Sequence, residues 1–424
     1  MTKTIDEINR KIERGEAVIL TAEELCDMVR RGEHVDVDDV DVVTAATCGI
    51  MSGTMAIFSF RVSECGTFTK AAHVWMNGVP AYPGPCPNER LGILDVVVYS
   101  TSRSIEEPES YGGAALFCDL VEGKKAHVKV ESVEGKLIES DIKLDEMGYA
   151  KMLTTRSAFK NYMAFVNPDE KPVKTIFSVG ELKGPWRMAT VSGCGELNPL
   201  EKDPLLRTVG VGSRVLINDV IGYVIGTGTR STKDRPNLSI CANMKGMNTE
   251  FMGQFITSAG PELYISIAIP IPILDHEMLQ YAKRLDSEIP LPVANVNNRM
   301  VIGYSNYAYV WQKADLEVKY DSNLCKNCGV ALCPVEEKCP TKAFIRKEHK
   351  VLRSKCFDCG ACTWLCLTGA FRANLGNIIV DGRVVPIVLR QSSRRKAREL
   401  ASRLKMLVEE GAFLLKEPVD ELMI

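Results

Sequence analysis

The stretch Cys325-Lys-Asn-Cys328-Gly-Val-Ala-Leu-Cys333-Pro-Val-Glu-Glu-Lys-Cys339-Pro340, followed closely by Cys356-Phe-Asp-Cys359-Gly-Ala-Cys362-Thr-Trp-Leu-Cys366, decides how the rest of the chain is read. It gathers eight of the 15 cysteines. The second half has the C-x2-C-x2-C-x3-C spacing in which three thiolates hold one four-iron cluster and the fourth crosses to another. The first half is the same run loosened twice, at Val330-Ala331-Leu332 and at Val335-Glu336-Glu337-Lys338, and Leu367 stands where a proline usually follows the last cysteine. By the crossing rule Cys325, Cys328, Cys333 and Cys366 hold one 4Fe-4S cluster, and Cys339, Cys356, Cys359 and Cys362 the other. Gly329, Gly360 and Ala361 leave room for backbone N–H groups to point at sulfur, one lever on cluster potential. Zinc knuckles would use the two Cys-x2-Cys pairs but do not need eight cysteines in two near-identical runs. A disulfide framework fits less well, because no leader-like segment is present and the other cysteines are scattered.

The expected fold is therefore a mixed α/β (α+β) catalytic domain over residues 1–315, a fused bacterial-type two-cluster ferredoxin domain over 316–376, and a hairpin with a basic helix over 377–424. Two short helices open the chain, each with a capping box, Thr4 with Glu7 and Thr21 with Glu24, the second closing at Gly32. A buried strand is expected over Val40 to Thr47, leading into a glycine-rich turn at Cys48. Another is expected over Ile93 to Ser100, with a hairpin from Arg214 to Ile225 turning at Asn218-Asp219 and a helical patch from Glu277 to Leu285. Past the cysteines, a hairpin turns at Asp381-Gly382, and Ser393 caps a helix to about Glu410 that carries Arg394, Arg395, Lys396, Arg398, Arg403 and Lys405. That basic stripe reads as a solvated face.

At 424 residues the chain has room for two or three domains. A formal charge of −2 gives no electrostatic reason for nucleic acid to bind. The longest apolar run, Leu263 to Leu274, contains Pro270 and Pro272 and falls short of the roughly 20 residues a membrane span needs. A cytoplasmic protein of an anaerobic or strongly reducing cell is expected, with its oligomeric state left open, a homo-oligomer included.

Outside the cysteine-rich segment, Cys48 ends a strand and opens a turn where a helix would lower its pKa and favour the thiolate; the alternative is a small buried hydrophobe. Cys194, in Ser192-Gly-Cys-Gly-Glu-Leu-Asn-Pro199, is flanked by glycines that would leave it reachable. Cys86 sits in the stiff loop Pro83-Gly-Pro-Cys-Pro-Asn-Glu89 and could face the same cavity, and Cys118 follows Tyr111-Gly-Gly. Cys26, Cys65 and Cys241 read as packing residues. The loop Gly226-Thr-Gly-Thr229-Arg230-Ser231-Thr-Lys233 follows a strand and offers consecutive N–H groups, hydroxyls and cations to an oxyanion, without the spacing of a P-loop. Arg156, in the string from Thr154 to Tyr162, is a second anion candidate.

Four strings, Thr47-Cys-Gly-Ile-Met-Ser-Gly-Thr54, Pro83 to Glu89, Ser192 to Pro199 and Gly226 to Arg230, in this order, resemble the homocysteine-biosynthesis (aspartate-semialdehyde sulfurtransferase) family of anaerobes over roughly residues 1 to 310. The fusion to a two-cluster ferredoxin looks like the methanogenesis marker 16 branch of that family, in an archaeal, methanogenic setting. The resemblance implies reductive conversion of an aldehyde to a thiol, with sulfoacetaldehyde giving 2-mercaptoethanesulfonate (coenzyme M) as the first reading and aspartate semialdehyde giving homocysteine as the alternative. It implies Cys48 as sulfur carrier through a persulfide, Cys118 as the second reactive cysteine, and Cys194 as an alternative partner or, with Cys48, a ligand to a third cluster. Thr229, Arg230 and Ser231, with Arg156, would then hold the substrate's anion, and Glu89, Glu196 or Asp119 would meet an ammonium. The partners implied are the aldehyde, a sulfide or persulfide donor and a low-potential electron donor. A rival class is an electron-transfer or cluster-carrier subunit, in which Cys48 and Cys194 would be dispensable.

Overall fold

The computed structural model describes residues 2–160, 162–325, 328 and 332–424; Asn161, Lys326, Asn327, Gly329, Val330 and Ala331 of the strings above lie outside them. The architecture is mixed α/β, built on a long, mostly antiparallel sheet and a second sheet of six strands. Both amino-terminal capping boxes are present, on helices Ile5–Glu13 and Ala22–Arg30. The Asn218-Asp219 turn takes positive φ at both residues, the conformation a tight two-residue hairpin needs.

The centre of the large sheet positions the chemistry. Strand Val42–Ile50 is buried on both faces for eight of its nine residues. It runs antiparallel to Gly260–Pro272, whose 13 residues are all buried. Pro270 and Pro272 do not end this strand. Ile273 donates to Asp41 O, so by alternation both prolines turn their missing N–H away from the Val42–Ile50 strand and cost it no ladder bond. Next to Gly260–Pro272 come the hairpin Arg214–Ile217/Val220–Thr227, then Leu238–Asn243, Tyr149–Ser157 and Thr54–Arg61.

The second sheet combines Ala164–Val166, Ala189–Val191, Pro290–Asn295 and Val301–Asn306 with the hairpin Asn377–Val380/Arg383–Arg390, the last pairing parallel with Ala189–Val191. The chain then crosses to the first sheet: Gln391 O accepts from Ile50 N, and Ser392 bridges to Gly49, where a Cβ would stand 2.8 Å from Ser392 Oγ. From Ser393 the helix Arg394–Glu409 lies over Val42–Ile50 and Gly260–Pro272, burying Ala397, Leu400, Ala401, Leu404 and Val408 at helical spacing. The basic stripe is not a uniformly solvated face. Arg398 and Arg403 reach out to Glu23 and Asp219, but Arg394 and Lys396 are buried in the first turn, where helix meets sheet.

The cysteine-rich segment leaves and returns through an antiparallel pair, Lys319–Tyr320 with Phe371–Arg372. Between them lie the pair Phe344–Ile345/Lys350–Val351 and the short helices Pro334–Lys338 and Ala361–Leu365, held by the rings of Tyr320, Phe344 and Phe371 at 4.7–5.3 Å. Among the described residues no helix is long and apolar enough to cross a membrane.

Candidate active site

Cys48 lies inside its strand and not at a helix start; the next element is strand Thr54–Arg61. It sits opposite Ser266, with Ile50 opposite Tyr264, so alternation turns Cys48 and Thr47 to opposite faces. The helix beginning that meets it comes instead from Arg394–Glu409: Ser393 N donates to Cys48 O at 3.1 Å, and Lys396 lies on the same side. Of the two readings the sequence left open, the structure shows the buried thiol and not the one activated at a helix start. Burial pushes the thiol up to about 12, and the Ser266 hydroxyl, the Lys396 charge and the Ser393 N–H only partly oppose it.

Cys194 lies against the Thr47 side, 3.8 Å from Thr47 Oγ1, 3.7 Å from Cys48 O and 3.9 Å from Ser393 O. It is fully buried, contrary to the open turn expected. Gly193 and Gly195 both take left-handed backbone, and a Cβ there would stand 2.1 Å from Tyr307 Oη and 2.0 Å from Asp286 Oδ1. The glycines therefore let neighbours close over the cysteine. Beneath the turn, buried Arg394 pairs with Glu196 at 2.7 Å and Asp286 at 2.6 Å, and Arg30 also reaches Glu196. Burial alone would raise Glu196, but the two guanidiniums outweigh it and hold the carboxyl below its usual range.

At the end of the Cys48 strand, residues 50–53 enter a cavity of about 550 Å³. Arg156, Thr229 and Arg230 line it, as the sequence suggested, and so do Arg235 and Arg299, which the sequence reading missed. Ser231 and Lys233 are not in the lining; Ser231 Oγ instead accepts from Asn237 N. Arg156 stacks on Phe159 at 4.7 Å, and its buried Nε has no partner among the described residues. Among the described residues, no carboxylate lines this cavity. Glu196 lies under Arg394, and Glu89 is buried in the turn Glu89–Leu91.

Asp119 lines a second cavity of about 230 Å³, with Cys118, Gln254, Tyr264, Lys342 and Lys355. Cys118 stands on helix Gly113–Val121, and burial pushes its thiol up to about 12. The far wall, Pro340 to Lys342 and Lys355, adjoins Cys339 and Cys356. Cys86 is exposed and lines neither cavity; Cys65 is exposed as well, against the packing role expected, while Cys26 is buried and Cys241 half-buried.

The thiols of the cysteine-rich segment interact in two sets. Cys339, Cys356, Cys359 and Cys362 act electrostatically on one another, whereas Cys325, Cys333 and Cys366 act together on Tyr320. Backbone N–H groups face the sulfurs: Ala343 N donates to Cys339 Sγ at 3.3 Å, and Ala361 N–H lies at Cys359. Such a donor set fits two iron–sulfur clusters. Among the described residues, no three Cys, His, Asp or Glu side chains converge tightly enough to grip a single ion, and Cys48 and Cys194 bring no third ligand with them.

A family model described as "Homocysteine biosynthesis enzyme, sulfur-incorporation" matches residues 17–415. The chain belongs to this homocysteine-biosynthesis family. Family membership makes it an enzyme, and the match extends well beyond residue 310, through the cysteine-rich segment and the helix that covers Cys48. Among relatives, a protein of Methanothermobacter thermautotrophicus named only as uncharacterized is 44% identical, covering 98% of this chain and 95% of its own. A likewise uncharacterized protein of Methanocaldococcus jannaschii is 39% identical over 94% of this chain and 99% of its own. The L-aspartate semialdehyde sulfurtransferase of the same organism is 30% identical over 99% of this chain and 73% of its own. No solved structure matches the chain.

Proposed function

We propose that this homocysteine-biosynthesis family member converts a small anionic aldehyde to the corresponding thiol by reductive sulfur incorporation, and that its substrate is aspartate semialdehyde, giving homocysteine. The observation that carries the reading is the placement of Cys48 on one strand between an arginine-lined cavity and the cysteine-rich segment, in a chain whose named relatives are L-aspartate semialdehyde sulfurtransferases. Arg156 and Arg230 bind and orient the anion, the free Nε of Arg156 offering it an unused donor. Cys48, and at the second cavity Cys118, carry sulfur as persulfide, and the sealed interior excludes water from Cys48. An aldehyde and hydrogen sulfide become a thiol and water on taking two electrons and two protons; starting from a persulfide consumes two of each more and restores the cysteine thiol. Residues 316–376 are, on this reading, a ferredoxin-like insert whose two clusters, when bound, supply single electrons at low potential. A low-potential donor outside the chain refills them.

A specific observation favours a second substrate. The arginine cavity offers four guanidiniums and no carboxylate, a lining suited to sulfoacetaldehyde, which has an anion and no ammonium. Anaerobically reconstituted protein given sulfide, a low-potential reductant and either aldehyde decides by mass spectrometry. Homocysteine is the expected product; 2-mercaptoethanesulfonate alone transfers the assignment to the second substrate, and no thiol from either, with clusters intact, would sink the sulfur-transfer reading in favour of an electron carrier.

A further inference from the structure

Three parts of the molecule meet on Tyr264. It lies two residues before Ser266 on the long strand, so alternation puts it on the face that Cys48 presents. Its ring is fully buried and stands 4.8 Å, centroid to centroid, from Phe357, which directly follows Cys356 and is itself buried. Phe255 closes on Phe357 from another side at 5.2 Å. The seat for the tyrosine is cut into the neighbouring strand: a Cβ on Gly253 would stand 2.5 Å from the ring and 2.6 Å from the hydroxyl. Tyr264 also lines the cavity that holds Cys118. Above the ring, 5.8 Å from its centroid, is Lys396 Nζ, which donates to Ser354 O at 2.8 Å and so ties the ring to the approach to Cys356. Burial first, and then the thiols of Cys48, Cys118 and Cys356, hold the phenol proton tightly.

We propose that Tyr264 is the electron relay between the Cys339, Cys356, Cys359 and Cys362 set and the sulfur carried on Cys48 and Cys118. The inference rests on the sulfur-transfer reading above. In the step it serves, a cysteine persulfide takes up two electrons, one at a time, and one proton, which solvent supplies by way of the cavity that Cys118 and Tyr264 line. The S–S bond breaks, the cysteine returns as thiol, and sulfur leaves as hydrosulfide. The electrons originate in a low-potential donor and pass through the ring contact of Phe357 and Tyr264, which fills what would otherwise be a gap between strand and cysteine loop.

Reconstituted, prereduced protein mixed with polysulfide in a stopped-flow cell tests this by the absorbance of cluster oxidation, with released hydrosulfide measured in parallel. Tyr264→Leu and, independently, Phe357→Leu are expected to slow oxidation roughly tenfold or more, equivalent to about 1.4 kcal/mol of barrier. Tyr264→Phe, which keeps the ring, should retain the rate. Hydrosulfide release from persulfidated, cluster-free protein by dithiothreitol, which leaves as its cyclic disulfide, should be the same in all variants. Leucine variants with an intact cluster spectrum and wild-type oxidation rate overturn the relay. Wild-type clusters that stay reduced in the presence of polysulfide overturn the sulfur-transfer reading itself.

Discussion

The two cavities differ in charge, in what walls them and in what each lets in. The larger is lined, among the described residues, by four arginines and no acid, and the end of the Cys48 strand enters it. The smaller mixes Asp119 and Glu122 with Lys342 and Lys355, and one wall is the cysteine-rich segment. A small anion is drawn to the first and finds no such preference in the second. On the proposed function, the difference separates two tasks, holding the aldehyde and handling sulfur and electrons, with the buried Cys48 between them.

The comparison breaks most decisively at Cys48. Cys48→Ser should lower thiol formation by roughly a thousandfold or more, read as product by mass spectrometry, as expected when the group that acts covalently is removed; full turnover would mean the sealed face is not the sulfur site. Next comes the seal. Arg394→Met leaves Glu196 and Asp286 buried with one cation fewer, and a loss of about 3–5 kcal/mol in denaturant unfolding is expected. An unchanged midpoint would show that Arg30 suffices for both acids. Arg156→Leu removes a charged donor from the arginine cavity alone. At about 1.5–3 kcal/mol for such a bond, KM for the aldehyde should rise roughly 10- to 150-fold with kcat little altered, while sulfur uptake from polysulfide is unaffected. Cys118→Ser is the mirror test: slower sulfur uptake, unchanged aldehyde KM.

A further effect, confined to alkaline pH, is in stability. The Cys48 and Cys118 thiols ionise only near about 12 when folded, against 9.0 as the reference value. A raised folded pKa means the unfolded chain loses its proton first, so this contribution is whole below pH 9 and is lost as pH rises towards 12. Each thiol adds a slope of up to about 1.4 kcal/mol per pH unit in that window, and Cys118→Ala should flatten the alkaline fall in unfolding free energy by that much.

Much of the frame was legible because its signals are local. Capping boxes, the Asn218-Asp219 turn and the Ser393 cap depend on residues a few positions apart, and each stands where its chemistry indicates. The site was legible in part: Arg156 and Arg230 meet, but Arg235 and Arg299 join them through tertiary folding that no spacing encodes. Environment was the least legible. Cys194 looked accessible between its glycines and Cys48 was open to either a thiolate or a buried reading, whereas the neighbouring glycines admit Ser392, Tyr307 and Asp286 at distances a side chain would forbid. Tyr264 and Lys396 carried no signal, since a tyrosine in an apolar run and a lysine in a basic helix are read as packing and as solvated charge.

The cover over Cys48 comes from a segment that follows the cysteine-rich stretch in sequence. Residues 391–394, which lie along the Cys48 strand and neutralise Glu196 and Asp286, follow the cysteine-rich segment in sequence. A nascent chain that has emerged only to residue 315 therefore holds two buried acids with half their cations missing and a strand edge with nothing beside it. During synthesis Cys48 becomes enclosed only after every cysteine of the Cys325 to Cys366 segment has been made.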